Sequence, residues 1–406
     1  MTHLQHDATH YLTRNVQSTM TNTDLSNALV HLGRGPQSAG RPVNLPIHQG
    51  STFLFDTLAE FESAREARYE PGTLYYGRYG NPASFELEAA MAALEGGHGC
   101  VAVSSGLTAV TIALTAVVSA GDHLLVADNV YAPTRGFCDT VMTRFGVAVT
   151  YFDPMSGDLA NAMRPTTRAV FLEAPGSGTF EVPDIPAIAS VARAHGAVSI
   201  IDGTWATPVF CKPMALGCDI VVHSGSKYIS GHADAMIGFI VCNQAHYMPV
   251  RKTALAFGEK AGSQDIFLAL RGLRTLEMRM RHADQAGRTV AHWIKNQGQV
   301  DRVLHPALPD CPGHAFWQRD FSGCAGLFSV ILKPVSDERL RSFVDALKLF
   351  GIGVSWGGFE SLVLPVAPHR TVNPWDDAGR VVRLSIGHED TLSLTDDLAQ
   401  ALKLLN

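Results

Sequence analysis

Apolar positions follow two rhythms along this chain. From about residue 71, short apolar runs bounded by polar or glycine-containing turns alternate with stretches whose apolar residues recur every three or four positions. The runs mark strands buried on both faces, and the three-to-four spacing marks helices with one buried face. Helix-like SFELEAAMAALEGG (84–97) precedes strand GCVAVS (99–104), helix 106–119 and strand HLLVAD (123–128). A helix over 132–145 follows, then strands VAVTYF (147–152) and AVFLEAP (169–175), helix 184–196, and strands AVSIIDG (197–203) and CDIVVHSG (218–225). Another apolar run, MIGFIV, covers 236–241.

Apolar strands alternating with amphipathic helices predict an α/β fold with a mostly parallel central sheet, covered on both faces. Near residue 270 the rhythm changes. One long helix is predicted over 268–297, then strand GLFSVIL (326–332), helix 337–350, strand VVRLSIG (381–387) and helix 395–406, a smaller C-terminal α+β domain. Residues 1–70, with Gly- and Pro-rich phrases such as GRGPQSAGRPVNLPIHQG, read as an irregular arm over a neighbour. The expected division is therefore an arm (1–70), an α/β domain (71–270) and an α+β domain (271–406).

Composition narrows the class. Charged residues make up only 17% of the 406, against about 25% in ordinary chains, and 46% are hydrophobic. That leaves apolar surface for an oligomer interface. A net charge of −6 argues against nucleic-acid or anionic-membrane partners. The stretch 101–120 is the nearest approach to a membrane span, but Ser104-Ser105-Gly106 breaks it. Seven cysteines form no CxxC pair and suit reduced, buried thiols of a cytoplasmic protein. No HExxH or other metal-ligand spacing occurs, so no metal is expected.

One residue stands out against this background. Only eight lysines occur, none before Lys212, and Lys227 sits among small residues between the runs at 220–222 and 236–241. An ammonium pinned between buried strands loses hydration, so its pKa falls. A neutral amine is what a Schiff-base lysine needs.

Other polar residues lie at strand ends, where sheets of this kind bind ligands. Asp202 ends AVSII; alone it could cap a turn, but beside a Schiff-base lysine it suits a pyridinium nitrogen. SSGLTA (104–109) offers the N–H groups of Gly106 and Leu107 to a phosphate at a helix start, though any βα turn uses Ser and Gly. Ser224 and Ser226 flank the lysine and could donate to the same phosphate or merely cap the turn. Tyr131 could stack on a flat ring. Tyr76 and Arg78, in YYGRYGNP, are a phenol and a guanidinium suited to phosphate on an arm reaching another subunit. Arg383, alternating with apolar neighbours, could clamp a carboxylate or serve a structural ion pair.

YYGRYGNP, LEGGHGCVAVSSG, FLEAPGSGTFEVPDIPAI, IDGTWATP, SKYISGHADAMIG, LRGLRTL, VSWGGFESL and VRLSIGHED stand in order from about residue 30 to the C-terminus. Jointly they resemble the Cys/Met-metabolism family of pyridoxal-phosphate enzymes, of the aspartate-aminotransferase fold type (fold type I), and within it the bacterial cystathionine β-lyases. The resemblance implies pyridoxal 5'-phosphate held by Lys227 as the Schiff-base lysine, with Asp202 at its pyridine nitrogen and Tyr131 on its ring. It implies a phosphate cup of Gly106, Leu107, Ser224 and Ser226, completed by Tyr76 and Arg78 of an adjacent subunit. Arg383, with the Ser355-Trp356 loop, would hold the carboxylate of a sulfur amino acid. The implied reaction is β-elimination of L-cystathionine to homocysteine, pyruvate and ammonia, in a homo-oligomer that is at least a dimer and by likeness a tetramer.

Trp356 in SWGG and Gly176-Ser177 in EAPGS favour the β-lyases over γ-acting relatives, which usually carry Leu and Asn-Pro there. Gly203 replaces a usual Asn, and Val354 replaces an aromatic residue of some β-lyases; both bear on substrate preference. The alternatives are a γ-synthase or γ-lyase, a β-lyase for another cysteine S-conjugate, and a non-catalytic protein that keeps the fold. A nicotinamide oxidoreductase shares the alternation but would need a glycine fingerprint that is absent.

Overall fold

The computed structural model describes residues 22–35, 42–375 and 379–406. Most of the apolar runs become strands of one sheet: β1 (Gly99–Val103), β2 (His123–Ala127), β3 (Ala148–Phe152), β4 (Thr167–Glu173), β5 (Val198–Asp202), β6 (Ile220–Ser224) and β7 (Gly238–Cys242). The order is β1-β7-β6-β5-β4-β2-β3. All neighbours from β6 across to β3 run parallel, while β7 is antiparallel to both β1 and β6. Because β6 and β7 are antiparallel neighbours, their connection stays at one edge of the sheet. That connection carries Lys227 and lies at the carboxyl ends of the parallel strands.

Helices cover both faces. Pro82–Glu95 starts at an Asn81 cap, Gly106–Thr115 at Ser105 and Ile185–Ala194 at Asp184, each side chain accepting a first-turn N–H. The expected helix over 132–145 forms as Ala132–Phe137, continued by a wider turn over Cys138–Met142.

A second sheet follows, with strands β8 (Val300–Leu304), β9 (Leu327–Leu332), β10 (Gly351–Ile352), β11 (Leu362–Val366) and β12 (Arg380–Ser385), in the order β10-β11-β12-β9-β8. Helices Leu276–Lys295 and Thr391–Leu402 pack their apolar residues, Val290 and Leu398 among them, into a hydrophobic cluster with Phe328, Val363 and Leu384. The architecture is the expected α/β fold, a mostly parallel central sheet covered by helices and followed by a smaller mixed sheet.

Several details differ from expectation. The single helix over 268–297 is two, Ser263–Leu273 and Leu276–Lys295. At the break Arg274 donates to the carbonyls of Leu29, Leu32 and Gly33, drawing the turn toward helix Asn22–His31. Gly272 sits just before the break, but neither Arg274 nor Thr275 is Pro or Gly, and the periodicity runs straight through them. Helix Gln244–Ala256 escaped the pattern because Pro249 lies inside it. β11 escaped because of Pro365, which sits beyond the two positions where β10 pairs and so costs no ladder bond on that side. Polar Asp301 and Arg302 hid β8. All seven cysteines are buried and unpaired, as expected of reduced thiols. Among the described residues no helix is long and apolar enough to cross a membrane.

Candidate active site

The strands end in a row of polar side chains. Asp202 closes β5 and Glu173 closes β4, in direct register with each other. Beyond β6 the chain turns through Ser224, Ser226 and Lys227, and Arg279 pins that turn. Its buried guanidinium donates to the carbonyls of Tyr228 (2.5 Å), Ile229 (3.3 Å) and Gly272 (2.8 Å).

The lysine is held from both sheets. Its Nζ donates to Ser355 Oγ at 2.7 Å and lies 5.3 Å from the centre of the Trp356 ring, which packs at 5.6 Å on Tyr228. Burial, with the nearby Arg383 cation, pushes the amine down to about 8; the Asp202 carboxylate opposes this without cancelling it. Arg383 itself donates to the carbonyls of Val354 (2.7 Å) and Ser355 (3.4 Å). Loop 354–356 is thus clasped between the lysine and the arginine.

The carboxylates nearby are short of partners. Burial raises Asp202, offset in part by Thr204, whose N–H donates to Oδ1 at 2.9 Å, and more remotely by His223 and Lys227. Glu173 is raised well above the usual range by burial and by Asp202 beside it; it accepts the Tyr131 N–H at 2.7 Å. The Tyr131 phenol is raised by burial and Glu173 and lowered by Arg383, so all three groups share one site.

Gly106 and Ser224 come together at the start of helix Gly106–Thr115. A Cβ on Gly106 would stand 2.5 Å from both Cβ and Oγ of Ser224, so only glycine lets the helix start approach the end of β6. Ser105 Oγ takes the N–H of Thr108 at 3.1 Å, while the N–H groups of Gly106 and Leu107, like those at any helix start, have no acceptor within the helix. Ser226 is more committed than expected: its Oγ accepts the Ile237 N–H at 3.0 Å. Tyr76 and Arg78 stand apart. Tyr76 bridges to Thr52, and Arg78 donates to Leu255 O at 2.6 Å and lies over the Tyr79 ring. Within one chain these two are not among the groups gathered around Lys227.

The arrangement fits a flat, phosphorylated aldehyde cofactor. It has a glycine-lined helix start beside a serine hydroxyl, a depressed lysine, a strand-end carboxylate and a half-exposed tyrosine. Residues 26–403 match the sequence profile of the Cys/Met metabolism PLP-dependent enzymes. This chain belongs to that family.

Its cofactor is accordingly pyridoxal 5'-phosphate, and the chain is a pyridoxal-phosphate-dependent enzyme. It is 39% identical over 388 residues to the cystathionine beta-lyase MetC of Escherichia coli, covering 93% of this chain and 98% of that one. It is also 35% identical over 389 residues to an L-alanine/L-glutamate racemase of Wolbachia pipientis, covering 93% and 96%. In three dimensions the crystal structure of metB from Corynebacterium glutamicum superposes with a TM-score of 0.86 at 30% identity, over 94% of this chain and 98% of that one.

Reading strand ends alone missed three groups. Glu173 was findable, because it ends the apolar run beside the one ending in Asp202. Arg279 and the fully buried Glu95–His223 pair, at 2.9 Å, carried no such signal, since Tyr228 lies 51 positions from Arg279 and Glu95 lies 128 from His223.

Proposed function

We propose that this enzyme is a carbon–sulfur β-lyase cleaving L-cystathionine to homocysteine, pyruvate and ammonia. The observation that carries the reading is Lys227: a depressed amine, held on Ser355 and Trp356, in the field of Arg383. When bound, pyridoxal phosphate supplies a conjugated ring that takes up the electron pair left at Cα. Gly106, Leu107, Ser224 and Ser226 would hold its phosphate, Asp202 would keep its ring nitrogen protonated, and Tyr131 would lie against the ring. Arg383, with Ser355 and Trp356 beside it, holds the substrate carboxylate through paired hydrogen bonds. Lys227 removes the Cα proton as general base, and Lys227 or Tyr131 returns a proton to the departing sulfur. The aminoacrylate so released takes up water to give pyruvate and ammonia.

Tyr76 and Arg78, which in their own chain contact Thr52, Leu255 and Tyr79, serve the phosphate of an adjacent subunit, which makes the working unit at least a dimer and by family likeness a tetramer. The arm (1–70), α/β (71–270) and α+β (271–406) division, and a cytoplasmic location, belong to the same reading.

The deciding experiment gives the purified yellow protein L-cystathionine and identifies the keto acid. Pyruvate with a free thiol supports β-elimination. 2-Oxobutyrate transfers the enzyme to the γ-acting class. No keto acid, with loss of optical activity in L-alanine, makes it a racemase.

A further inference from the structure

Asp128 lies one residue past β2, fully buried, and its contacts are unusual in number and origin. Oδ1 accepts from Arg135 at 2.5 Å and from the N–H and hydroxyl of Thr371, each at 3.0 Å. Oδ2 accepts from Arg370 Nε at 3.2 Å and from the N–H groups of Thr371 (3.0 Å), Val372 (2.8 Å) and Asn373 (3.2 Å). Burial alone would raise this carboxyl, but the backbone N–H groups and Arg135 outweigh it and hold it at about 2. It is therefore a permanent anion.

Most of these donors lie on one loop, between β11 and β12, reaching across from the second sheet. At the far side of the loop Trp375 packs against the core of the first sheet, but the stretch 371–374 is itself exposed, with Val372 at 47%. What seats that stretch is charge. Arg370, whose side chain is only 6% exposed, also donates to Glu181 at 2.6 Å and lies 3.8 Å from Asp153.

The two elements joined at Asp128 each carry a residue of the site. Arg135 belongs to the helix that Tyr131 begins, and Arg383 stands on the strand into which the 370–373 loop leads. Tyr131 and Arg383 are electrostatic neighbours across that junction. We infer that Asp128 and Arg370 are positioning residues for substrate binding, latching the loop and the Arg383 strand in register with the Tyr131 helix. Without the latch, the carboxylate pocket must be assembled by the substrate itself, which taxes affinity. The latch stands on its own geometry; its consequence for substrate rests on the role proposed above for Arg383.

The test uses holoenzyme of Asp128→Asn, Arg370→Gln and Arg383→Ala. Amide hydrogen exchange at 371–373 is compared with exchange at 170–172 in β4, and steady-state pyruvate release yields KM and kcat. In both latch variants, exchange at 371–373 should quicken by about tenfold or more while β4 holds. KM should rise about tenfold with kcat nearly unchanged, because the lost interaction serves ground and transition states alike. The cofactor's visible band should stay as in the parent. Unchanged exchange and KM would overturn the latch, as would equal loosening of β4 with fading of the band. Should Asp128→Asn fail to fold, Arg370→Gln decides the matter through the same two measurements. An unaltered KM in Arg383→Ala would remove the assignment of Arg383, while exchange at 371–373 still decides the latch.

Discussion

Asp202 and Asp128 stand at the carboxyl ends of parallel strands in one sheet, and the protein treats them in opposite ways. Asp128 is saturated: guanidinium groups, three backbone N–H groups and a hydroxyl surround it, and it is held at about 2. Asp202 has Thr204 and little else close by, and burial raises it. Glu173 beside it is raised further, and Lys227 is lowered to about 8. Full pairing makes a buried charge into a fastener. Incomplete pairing leaves groups whose protons can move and whose vacant hydrogen-bonding capacity can meet a ligand. The same edge thus has a structural end and a chemical end, set by the number of donors each carboxylate finds.

Substitutions at the two ends should separate along that line. Lys227→Ala should cut pyruvate release by roughly 10³-fold or more, the scale of a lost general base and nucleophile. The cofactor-free variant should nevertheless melt no lower than the parent, since a poorly solvated amine has been removed; a clear fall in Tm would blur the contrast. Asp128→Ala should do the reverse to stability. It leaves Arg135 and Arg370 buried beside an absent partner, at a cost of about 3–5 kcal/mol, read by denaturant unfolding. A loss under about 1 kcal/mol would mean that the network is no stronger than a surface pair.

The pH dependence has a defined sign. Lys227 is depressed, so its neutral form appears as pH rises through about 8 rather than near the ordinary 10.5. Below that pH the buried ammonium costs stability. The cost disappears between about 8 and 10.5, where the unfolded chain still holds the proton and the native chain does not. Capture of added pyridoxal phosphate by cofactor-free protein, followed by absorbance, should speed up with a midpoint near pH 8. A midpoint above about 10 would show an ordinary, solvated lysine.

The smallest effect concerns Gly203, where relatives usually carry Asn. A Cβ there would stand 3.0 Å from Cε1 of His223 and 3.2 Å from Cγ1 of Val221, both fully buried. Gly203→Asn should therefore destabilise by about 1–3 kcal/mol through overpacking, and His223→Ala in the same chain should relieve part of it. Additive costs in that double-mutant cycle would show that the histidine is not what demands glycine.

Lys227 was legible because one charged residue between two apolar runs breaks a pattern that local chemistry explains. Asp202 and Gly106 were legible for a similar reason, since the end of a strand and the start of a helix are local events. Ser226 was legible as a turn residue, but the sequence did not show that its hydroxyl is taken by the Ile237 N–H. Asp128, Arg135 and Arg370 passed unnoticed. Each is an ordinary charged residue in its own segment, and 242 positions separate Asp128 from Arg370.

The alternation of apolar runs and amphipathic stretches therefore dictated which segments became strands and helices and at which edge the polar strand ends would gather, because burial acts on each segment through its own periodicity. The pairing of charges did not follow from it. Whether a carboxylate ends at about 2, as Asp128 does, or is raised, as Glu173 is, depends on donors delivered by remote loops. Electrostatic energy in a dry interior depends on distance in space, and only the folded chain sets those distances.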